Sequence, residues 1–332
     1  MPELPPLVQA LLSPNAYPEK STKIELVQTQ ISFVFLADDY VYKVKKPVDF
    51  GFLDFTTLEK RRFYCQQEVL LNRRLCHDVY LDVVPITQTN GEFAIGGEGE
   101  VFEYAVKMRR LPEDHTMDRL LKVGQVTPQM VANVAQKLVE FHHAAQTISE
   151  GFGDLETARL NIEENITQTE KYKGTTISPQ IYDRIKDYNY SFMDKNARLF
   201  NKRVRDGRVK DCHGDLHAAH ICFGKEICIF DCIDFNDRFR YTDVANEIAF
   251  LAMDLDFHGF PDLAKHFVDS YVKLSGDLEL LELLDFYKCY RAYVRGKVES
   301  FKLDDPYISA EEKGRVAGIA KRYFGLAESY AM

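Results

Sequence analysis

The sequence has few of the features that mark membrane, secreted or nucleic-acid-binding proteins. No apolar stretch approaches the roughly 18–20 residues that a membrane span needs, and residues 1–6 lack the charged and apolar regions of a signal peptide. Lys and Arg number 42 against 51 Asp and Glu, which leaves a net charge of −9, and no basic run is present that would track a phosphate backbone. These absences predict a cytoplasmic protein without membrane or nucleic-acid partners.

Cysteine and glycine are also used sparingly. The seven cysteines include no C-x-x-C pair, which argues against structural zinc and against a disulfide framework, and most of them are predicted to be small buried side chains. No G-x-x-x-x-G-K-[ST] occurs, so a P-loop is excluded. With 45% hydrophobic residues, the 332-residue chain has ample material for one large domain or two lobes.

One polar stretch, residues 211–221, carries most of the functional information. It places His213, Gly214 and Asp215 on a predicted tight turn, and the next apolar run ends at Asp231. Two carboxylates delivered in this way suit metal-assisted phosphoryl transfer, in which one orients and deprotonates a hydroxyl while the other holds Mg²⁺.

This pattern resembles the catalytic loop of the aminoglycoside phosphotransferase family, which is protein-kinase-like. The resemblance implies an α+β, two-lobe fold, with a small antiparallel-sheet N-lobe at residues 1–110 and a larger helical C-lobe at residues 111–332. It also implies ATP or GTP and Mg²⁺ as cofactors and a small-molecule hydroxyl as the acceptor. Asp215 is then the group that orients the acceptor and takes its proton, and His213 supports the loop.

The resemblance also selects the metal ligands. In the family the metal aspartate lies twelve residues before the aspartate of an Asp-Leu-Ala-like helix start, and Asp231 stands in this relation to Asp243. Asp231 is therefore the predicted principal ligand, with Asp234 as a second candidate. His220 occupies the position of the family's Asn, and because Mg²⁺ prefers oxygen ligands this substitution puts the metal stoichiometry in doubt.

A strand predicted at residues 40–46 supplies the lysine that such a lobe needs. Period-two alternation places Lys43 and Lys45 on one face. In the kinase Val-Ala-Ile-Lys pattern the residue two before the lysine is apolar, and Val41 satisfies this for Lys43. Lys43 is the predicted phosphate-pairing lysine and Lys45 a second phosphate contact; the alternative is a solvated basic strand end.

A helix predicted from residue 58 to about residue 75 carries the partner of that lysine. Thr56 to Glu59 has the form of a capping box. Glu68 lies within the helix and is predicted to pair with Lys43 and hold it against the phosphates. A plain surface glutamate is the alternative.

The nucleotide site has two further predicted parts. The loop before the lysine hairpin has no glycine, so backbone N–H groups and Ser32 would have to contact the phosphates. The adenine is expected to meet the backbone of the segment that joins the lobes, at Met108, Arg109, Arg110 and Leu111.

Other elements follow from periodicity and turn signals. A short helix is expected at about residues 5–14. Strands are predicted at residues 23–27, 31–36, 80–87, 92–95 and 101–108. Helices are predicted at residues 127–146, 243–254, 262–274, 278–301 and 310–327. The polar residues 150–180 have the composition of an insertion or lid.

The helix at 278–301 carries a basic, tyrosine-rich face that is the candidate acceptor site. Its members are Lys288, Arg291, Arg295 and Tyr287. Such a face suits an anionic or neutral hydroxylated molecule rather than a polycationic drug. The alternative is a solvated helix face whose long stems pack on the core.

Residues 45–55 and 234–244 resemble more closely an uncharacterised bacterial branch of the family. Some members of that branch carry a fused P-loop ATPase-like domain, whereas this domain is expected to stand alone. The first hypothesis is a phosphotransferase. A nucleotide-binding pseudokinase is the second, because the glycines are missing and because of His220. A metal-dependent hydrolase that uses His213, Asp215, His217 and His220 is the third.

Overall fold

The computed structural model of the protein describes residues 4–305 and 308–332. The strands are β1 Glu25–Gln28, β2 Ser32–Leu36, β3 Tyr40–Lys45, β4 Tyr80–Thr89, β5 Glu92–Ile95, β6 Glu100–Arg109, β7 Val209–Asp211, β8 Ile221–Phe223, β9 Ile227–Ile229 and β10 Tyr241–Asp243. The α-helices are α1 Pro6–Ala10, α2 Leu58–Asn72, α3 Met117–Lys122, α4 Pro128–Ala144, α5 Leu155–Thr169, α6 Pro179–Arg205, α7 Asp237–Arg240, α8 Val244–Phe257, α9 Pro261–Ser275, α10 Leu280–Phe301 and α11 Ala310–Tyr330. Within these ranges no helix is long and apolar enough to cross a bilayer.

The chain divides into two units, and the first is built on a sheet. This unit runs to Arg119 and includes the later segment His220–Asp237. Its six strands are all antiparallel, in the order β1-β2-β3-β6-β4-β5, and the hairpin β8–β9 belongs to the same unit. An antiparallel sheet with a helix packed beside it is the expected α+β architecture for this part of the chain.

Strand β3 separates an apolar face of the sheet from a charged one. Tyr42 and Val44 are buried in a core cluster. The alternate residues Val41, Lys43 and Lys45 point to the opposite face because successive side chains of a strand alternate. The two lysines therefore project from one face, as the sequence predicts.

Helix α2 begins at Leu58, as predicted, but its N-cap is the second residue of the predicted capping box and not the first. Thr57 is the N-cap and its side chain accepts a hydrogen bond from the backbone N–H of Lys60 at 3.3 Å. The hydroxyl of Thr56 donates to Asp54 at 2.6 Å instead. The cap is therefore Thr57 and not Thr56.

The second unit comprises Leu120–Ala219 and the chain from Arg238 onward, and it is mostly helical. Its centre is α8, in which every residue from Val244 to Leu255 is buried. Helices α9, α10 and α11 pack against α8. A helix that is buried on all sides must satisfy each polar group internally, and α8 does so with Asn246, Glu247 and Asp254.

Most predicted elements are confirmed with ends that shift by one to three residues. The first is shorter than expected, since α1 ends at Ala10. The polar segment 150–180, which has the composition of an insertion or lid, contains α5 and the start of α6. Asp154 caps α5 by accepting a hydrogen bond from the N–H of Thr157 at 2.8 Å.

The cysteines follow the prediction except for one pair. Cys76 and Cys228, which are 152 residues apart in sequence, form a disulfide within the first unit. The sequence argued against a disulfide framework and did not predict this bond. The other five cysteines are free and buried, as predicted: Cys65, Cys212, Cys222, Cys232 and Cys289.

Candidate active site

In the first unit, Asp231 follows β9 in an unusual backbone conformation. Its φ is +61°, the left-handed region that non-glycine residues rarely enter. Its N–H donates to the hydroxyl of Tyr80 at 3.0 Å, and its Oδ1 accepts a hydrogen bond from Lys43 Nζ at 2.7 Å. Such backbone outliers cluster at functional sites, where the surrounding contacts hold them in place.

Glu68 reaches both strand lysines from α2. Lys45 Nζ donates to Glu68 Oε2 at 2.8 Å, and Lys43 Nζ lies 2.9 Å from Oε1 in ion-pair contact. Burial raises the pKa of Glu68, but the charges of Lys43 and Lys45 outweigh this effect and hold it below its ordinary value. The structure therefore brings together the lysine and the glutamate that the sequence paired.

The two remaining metal candidates lie in different surroundings. Asp234 is buried and accepts a hydrogen bond from Lys45 Nζ at 2.5 Å, and burial raises its pKa. His220 faces Asp231 instead, with its Nε2 3.5 Å from Asp231 Oδ2. The carboxylate of Asp231 is more accessible than that of Asp234, since 43% of the Asp231 side chain is exposed against 7% for Asp234.

Asn72 supports this site, although it was not predicted from the sequence. Asn72 lies one helical turn after Glu68, so both side chains share a face of α2. Its Oδ1 accepts a hydrogen bond from the N–H of Cys232 at 2.8 Å, directly after Asp231. The i, i+4 spacing of Glu68 and Asn72 is the only signal in the sequence that points to this role.

The other residues predicted to contact the nucleotide are buried, or their backbone N–H groups are hydrogen-bonded within the first unit. Ser32 is fully buried, and its hydroxyl has no hydrogen-bond partner among the described residues. Met108 packs in a core cluster, and Leu111 packs beside it. The N–H groups of Arg109 and Arg110 donate to backbone carbonyls elsewhere in the unit, at 2.8 and 2.9 Å.

In the second unit, the candidate catalytic loop around Gly214 is held through hydrogen bonds from its backbone N–H groups to side chains of α8. Gly214 has φ +87°, which glycine adopts without strain. The N–H groups of His213 and Gly214 both donate to Glu247 Oε1 at 2.7 Å, and the N–H of Ala218 donates to Asp254 Oδ2 at 2.8 Å. Two carboxylates of the buried helix α8 therefore fix the loop.

Glu247, like Asn72, was not predicted from the sequence, although it binds the backbone of the predicted loop. Its second oxygen lies 2.8 Å from His142 Nε2, and His142 Nδ1 lies 2.8 Å from the hydroxyl of Tyr271. Burial raises the pKa of Glu247, but the hydrogen bonds and the charge of His142 outweigh it and lower this pKa to about 2. At neutral pH the group is a carboxylate, and it accepts from three donors.

Asp215 is the accessible carboxylate of the loop. About a third of its side chain is exposed, and its Oδ2 lies 3.7 Å from His217 Nε2. His213 is fully buried, and its Nδ1 accepts a hydrogen bond from the N–H of Asp215 at 3.3 Å. The loop thus presents Asp215 and keeps His213 inside.

The four acceptor-site candidates on α10 have mostly structural contacts. Arg291 donates to Asn246 Oδ1 at 2.7 Å and to the carbonyl of Gly214 at 3.1 Å, so it supports the catalytic loop. Lys288 pairs with Asp256 at 2.6 Å, and Tyr287 is buried. Arg295 differs, because its buried Nε has no hydrogen-bond partner among the described residues.

Comparison with solved structures defines the class of the fold. A choline/ethanolamine kinase family protein from Mesorhizobium loti aligns over 98% of this chain and 100% of its own, with a TM-score of 0.55 and 12% identity. A choline kinase from Cryptosporidium parvum aligns over 98% and 93%, with a TM-score of 0.55 and 10% identity. An amicoumacin kinase in complex with AMP-PNP and Ca²⁺ aligns over 96% and 92%, with a TM-score of 0.51 and 14% identity.

The chain therefore has the α+β, protein-kinase-like fold of these phosphotransferases, with a small antiparallel-sheet lobe and a larger helical lobe. This confirms the resemblance to the aminoglycoside phosphotransferase family as a likeness of fold. No protein family model matches the sequence. Uncharacterised proteins of Mycobacterium tuberculosis and Mycobacterium bovis are 33% identical over 310 residues, which is 92% of this chain. The chain spans 59% of the length of these relatives.

Proposed function

We propose that the protein is an ATP- and Mg²⁺-dependent phosphotransferase that acts on a hydroxyl of a small molecule. One observation carries the proposal. Lys43 Nζ lies within ion-pair distance of both Glu68 and Asp231, and Asp231 is held in a left-handed backbone conformation. Kinase-like enzymes need a lysine for the phosphates, a glutamate to hold that lysine and an aspartate for the metal. The solved structures of similar fold are kinases of small molecules, which supports the same reading.

The residues fit the cofactors that the fold implies. Asp231 offers a partly exposed carboxylate, the kind of oxygen ligand that Mg²⁺ prefers, whereas the His220 nitrogen is a poorer donor for this ion. Bound Mg²⁺ neutralises negative charge on the nucleotide phosphates. Lys43 is the side chain we assign to the phosphates, and Glu68 orients it.

The second unit supplies the group that acts on the acceptor. Asp215 is partly exposed on a loop whose backbone Glu247 fixes. We assign to Asp215 the orientation of the acceptor hydroxyl and the removal of its proton, a contribution of about 10²–10⁴ in rate for a well-placed base. Since none of the residues here distinguishes adenine from guanine, GTP is tested beside ATP.

The first experiment is calorimetric titration with AMP-PNP and with GMP-PNP, each with Mg²⁺ and with EDTA. We expect Mg²⁺-dependent binding that weakens on the order of tenfold or more in Asp231→Asn, because the metal loses its carboxylate. Asp82→Asn, an exposed aspartate of the same unit, is the matched control and should bind as the wild type does. Absence of binding of either nucleotide by the wild type would overturn the proposal.

A second candidate is a nucleotide-binding protein that transfers no phosphate. The observation that favours it is His220, whose imidazole faces Asp231 where the family has an amide oxygen. A screen of hydroxylated acceptors with radiolabelled ATP separates the two functions, with Asp215→Asn as the inactive control. Binding without transfer to any acceptor, and without a difference between wild type and Asp215→Asn, would favour the second candidate.

A further inference from the structure

Two lysines of β3, Lys43 and Lys45, contact Glu68, where one is enough for the proposed reaction. The charged groups form a single chain of alternating sign. Its contacts are Asp231 to Lys43 at 2.7 Å, Lys43 to Glu68 at 2.9 Å, Glu68 to Lys45 at 2.8 Å and Lys45 to Asp234 at 2.5 Å. All five residues belong to the same unit. This cluster of five charged side chains has three carboxylates and two ammonium groups.

Hydrogen-bond geometry distinguishes the two lysines. Lys45 donates a hydrogen bond to Glu68 Oε2. Lys43 Nζ lies 2.9 Å from the other oxygen, Oε1, so the two lysines share Glu68. Lys43 also donates to Asp231, whereas Lys45 donates to Asp234. Only Lys43 of the two is therefore engaged with the candidate metal ligand Asp231.

Exposure separates them in the same way. The side chain of Lys45 is 1% exposed and that of Asp234 is 7% exposed, so a ligand does not reach this end without opening the fold. At the other end 15% of Lys43 and 43% of Asp231 are exposed. The aromatic ring of Phe55, 4.8 Å from Lys45 Nζ, further encloses the buried end.

We propose that Lys45 and Asp234 are positioning residues that hold Glu68, so that Lys43 can exchange Asp231 for the phosphates of the nucleotide. The division of roles follows from the contacts within the unit, and its last step rests on the proposed function. Asp234 is in this account the counter-ion of Lys45 and not a ligand of the metal.

Charge balance gives the proposal a specific consequence. If Lys45 and Asp234 are removed together, one positive and one negative charge are lost and the net charge of the cluster is unchanged. Glu68 then has Lys43 as its only cationic neighbour in the cluster and takes it as a hydrogen-bond donor. Lys43 becomes less available to phosphate, although it is not itself altered.

The test uses the double variant Lys45→Met/Asp234→Leu in the full chain. We expect its affinity for AMP-PNP with Mg²⁺ to fall on the order of tenfold. Addition of Glu68→Gln to the same background should restore most of the affinity, because Lys43 is released from a neutral side chain. Lys46→Met is the matched control: this neighbouring lysine donates to the carbonyl of Thr29 and has no place in the cluster.

Two results would overturn the proposal. One is a folded double variant, judged by its circular dichroism and melting curve, that binds AMP-PNP as tightly as the wild type. The other is a loss of affinity that Glu68→Gln leaves unchanged, since a merely structural role predicts no such rescue.

A second measurement needs no nucleotide and so separates this proposal from the proposed function. The rate at which an amine-reactive acetyl ester labels Lys43 is followed by mass spectrometry, with Lys46 as the internal reference. Slower labelling of Lys43 in the double variant, reversed by Glu68→Gln, supports the division of roles even if the wild type binds no nucleotide. Equal labelling in all variants contradicts it.

Discussion

The side chain of Glu247 is one of those that fix the candidate catalytic loop. It accepts hydrogen bonds from the backbone of His213 and Gly214 at one oxygen and contacts His142 at the other. A buried carboxylate is costly unless it is fully hydrogen-bonded, and this one is. His142 Nε2 donates to this carboxylate at 2.8 Å, and His142 Nδ1 lies 2.8 Å from the hydroxyl of Tyr271.

The pKa of Glu247 makes its contribution to stability depend on pH. Its folded pKa is about 2 against an ordinary value of 4.5, so the unfolded state binds protons first as the pH falls. The stabilisation is complete above about pH 4.5 and declines from there towards pH 2. At about 1.4 kcal/mol for each pKa unit, the full stabilisation is about 3 kcal/mol.

Urea unfolding of Glu247→Gln and wild type between pH 3.5 and 7 checks this prediction. The difference in the free energy of unfolding should be constant above about pH 5 and smaller at pH 3.5. The exposed Glu92→Gln is the control. A difference that is the same at pH 3.5 and at pH 7 would contradict the assignment.

At the scale of elements, the packing of α10 on α11 depends on one glycine. A Cβ at Gly296 would lie 2.9 Å from the ring of Phe324, which is closer than side chains tolerate. Gly318, on α11, has no atom within 4 Å of the corresponding position among the described residues. Both glycines lie within helices, so the two positions differ in packing and not in backbone conformation.

We therefore expect opposite effects of the same substitution. Gly296→Ala should lower the free energy of unfolding by about 1–3 kcal/mol, because it overpacks the contact with Phe324. Gly318→Ala should raise it by about 0.5–1 kcal/mol, because alanine favours the helix. Denaturant titration of both variants measures the difference, and a stabilising Gly296→Ala would show that α11 moves aside at no cost.

At the scale of the whole molecule, one covalent bond joins distant parts of the chain. Cys76 follows α2 and Cys228 lies in β9, three residues before Asp231. Both belong to a buried cluster with Cys65 and Cys222, which are free. A bond that closes a loop of this length removes much freedom from the unfolded chain.

Thiol titration measures how many cysteines are free and how many are bonded. In denaturant and without reductant, five of the seven cysteines should react, and all seven should react after reduction. Reduction or Cys76→Ser should lower the free energy of unfolding by about 2–5 kcal/mol, the usual range for a native disulfide. Cys222→Ser is the control, which removes one free thiol and leaves the bond. Seven reactive thiols before reduction would show that the pair is not bonded.

Much of the fold was predictable because its signals are local. The alternation of β3 placed Lys43 and Lys45 on one face, and the spacing of α8, α9, α10 and α11 marked each helix within a few residues. The segment 150–180 was not predictable as helix, because its apolar residues are few. The roles of Lys45 and Asp234, a cytoplasmic location and a fused domain in relatives remain predictions.

The sequence alone indicated the candidate catalytic loop, since His213, Gly214 and Asp215 are neighbours in the chain and Gly214 adopts the left-handed conformation without strain. Only the tertiary structure decided which carboxylates the two lysines contact, which cysteines pair and which carboxylates fix the candidate catalytic loop. The reason is physical. Periodicity follows from the geometry of a few adjacent residues, whereas the contact of Lys45 with Asp234 joins groups 189 residues apart and exists only when the elements have packed.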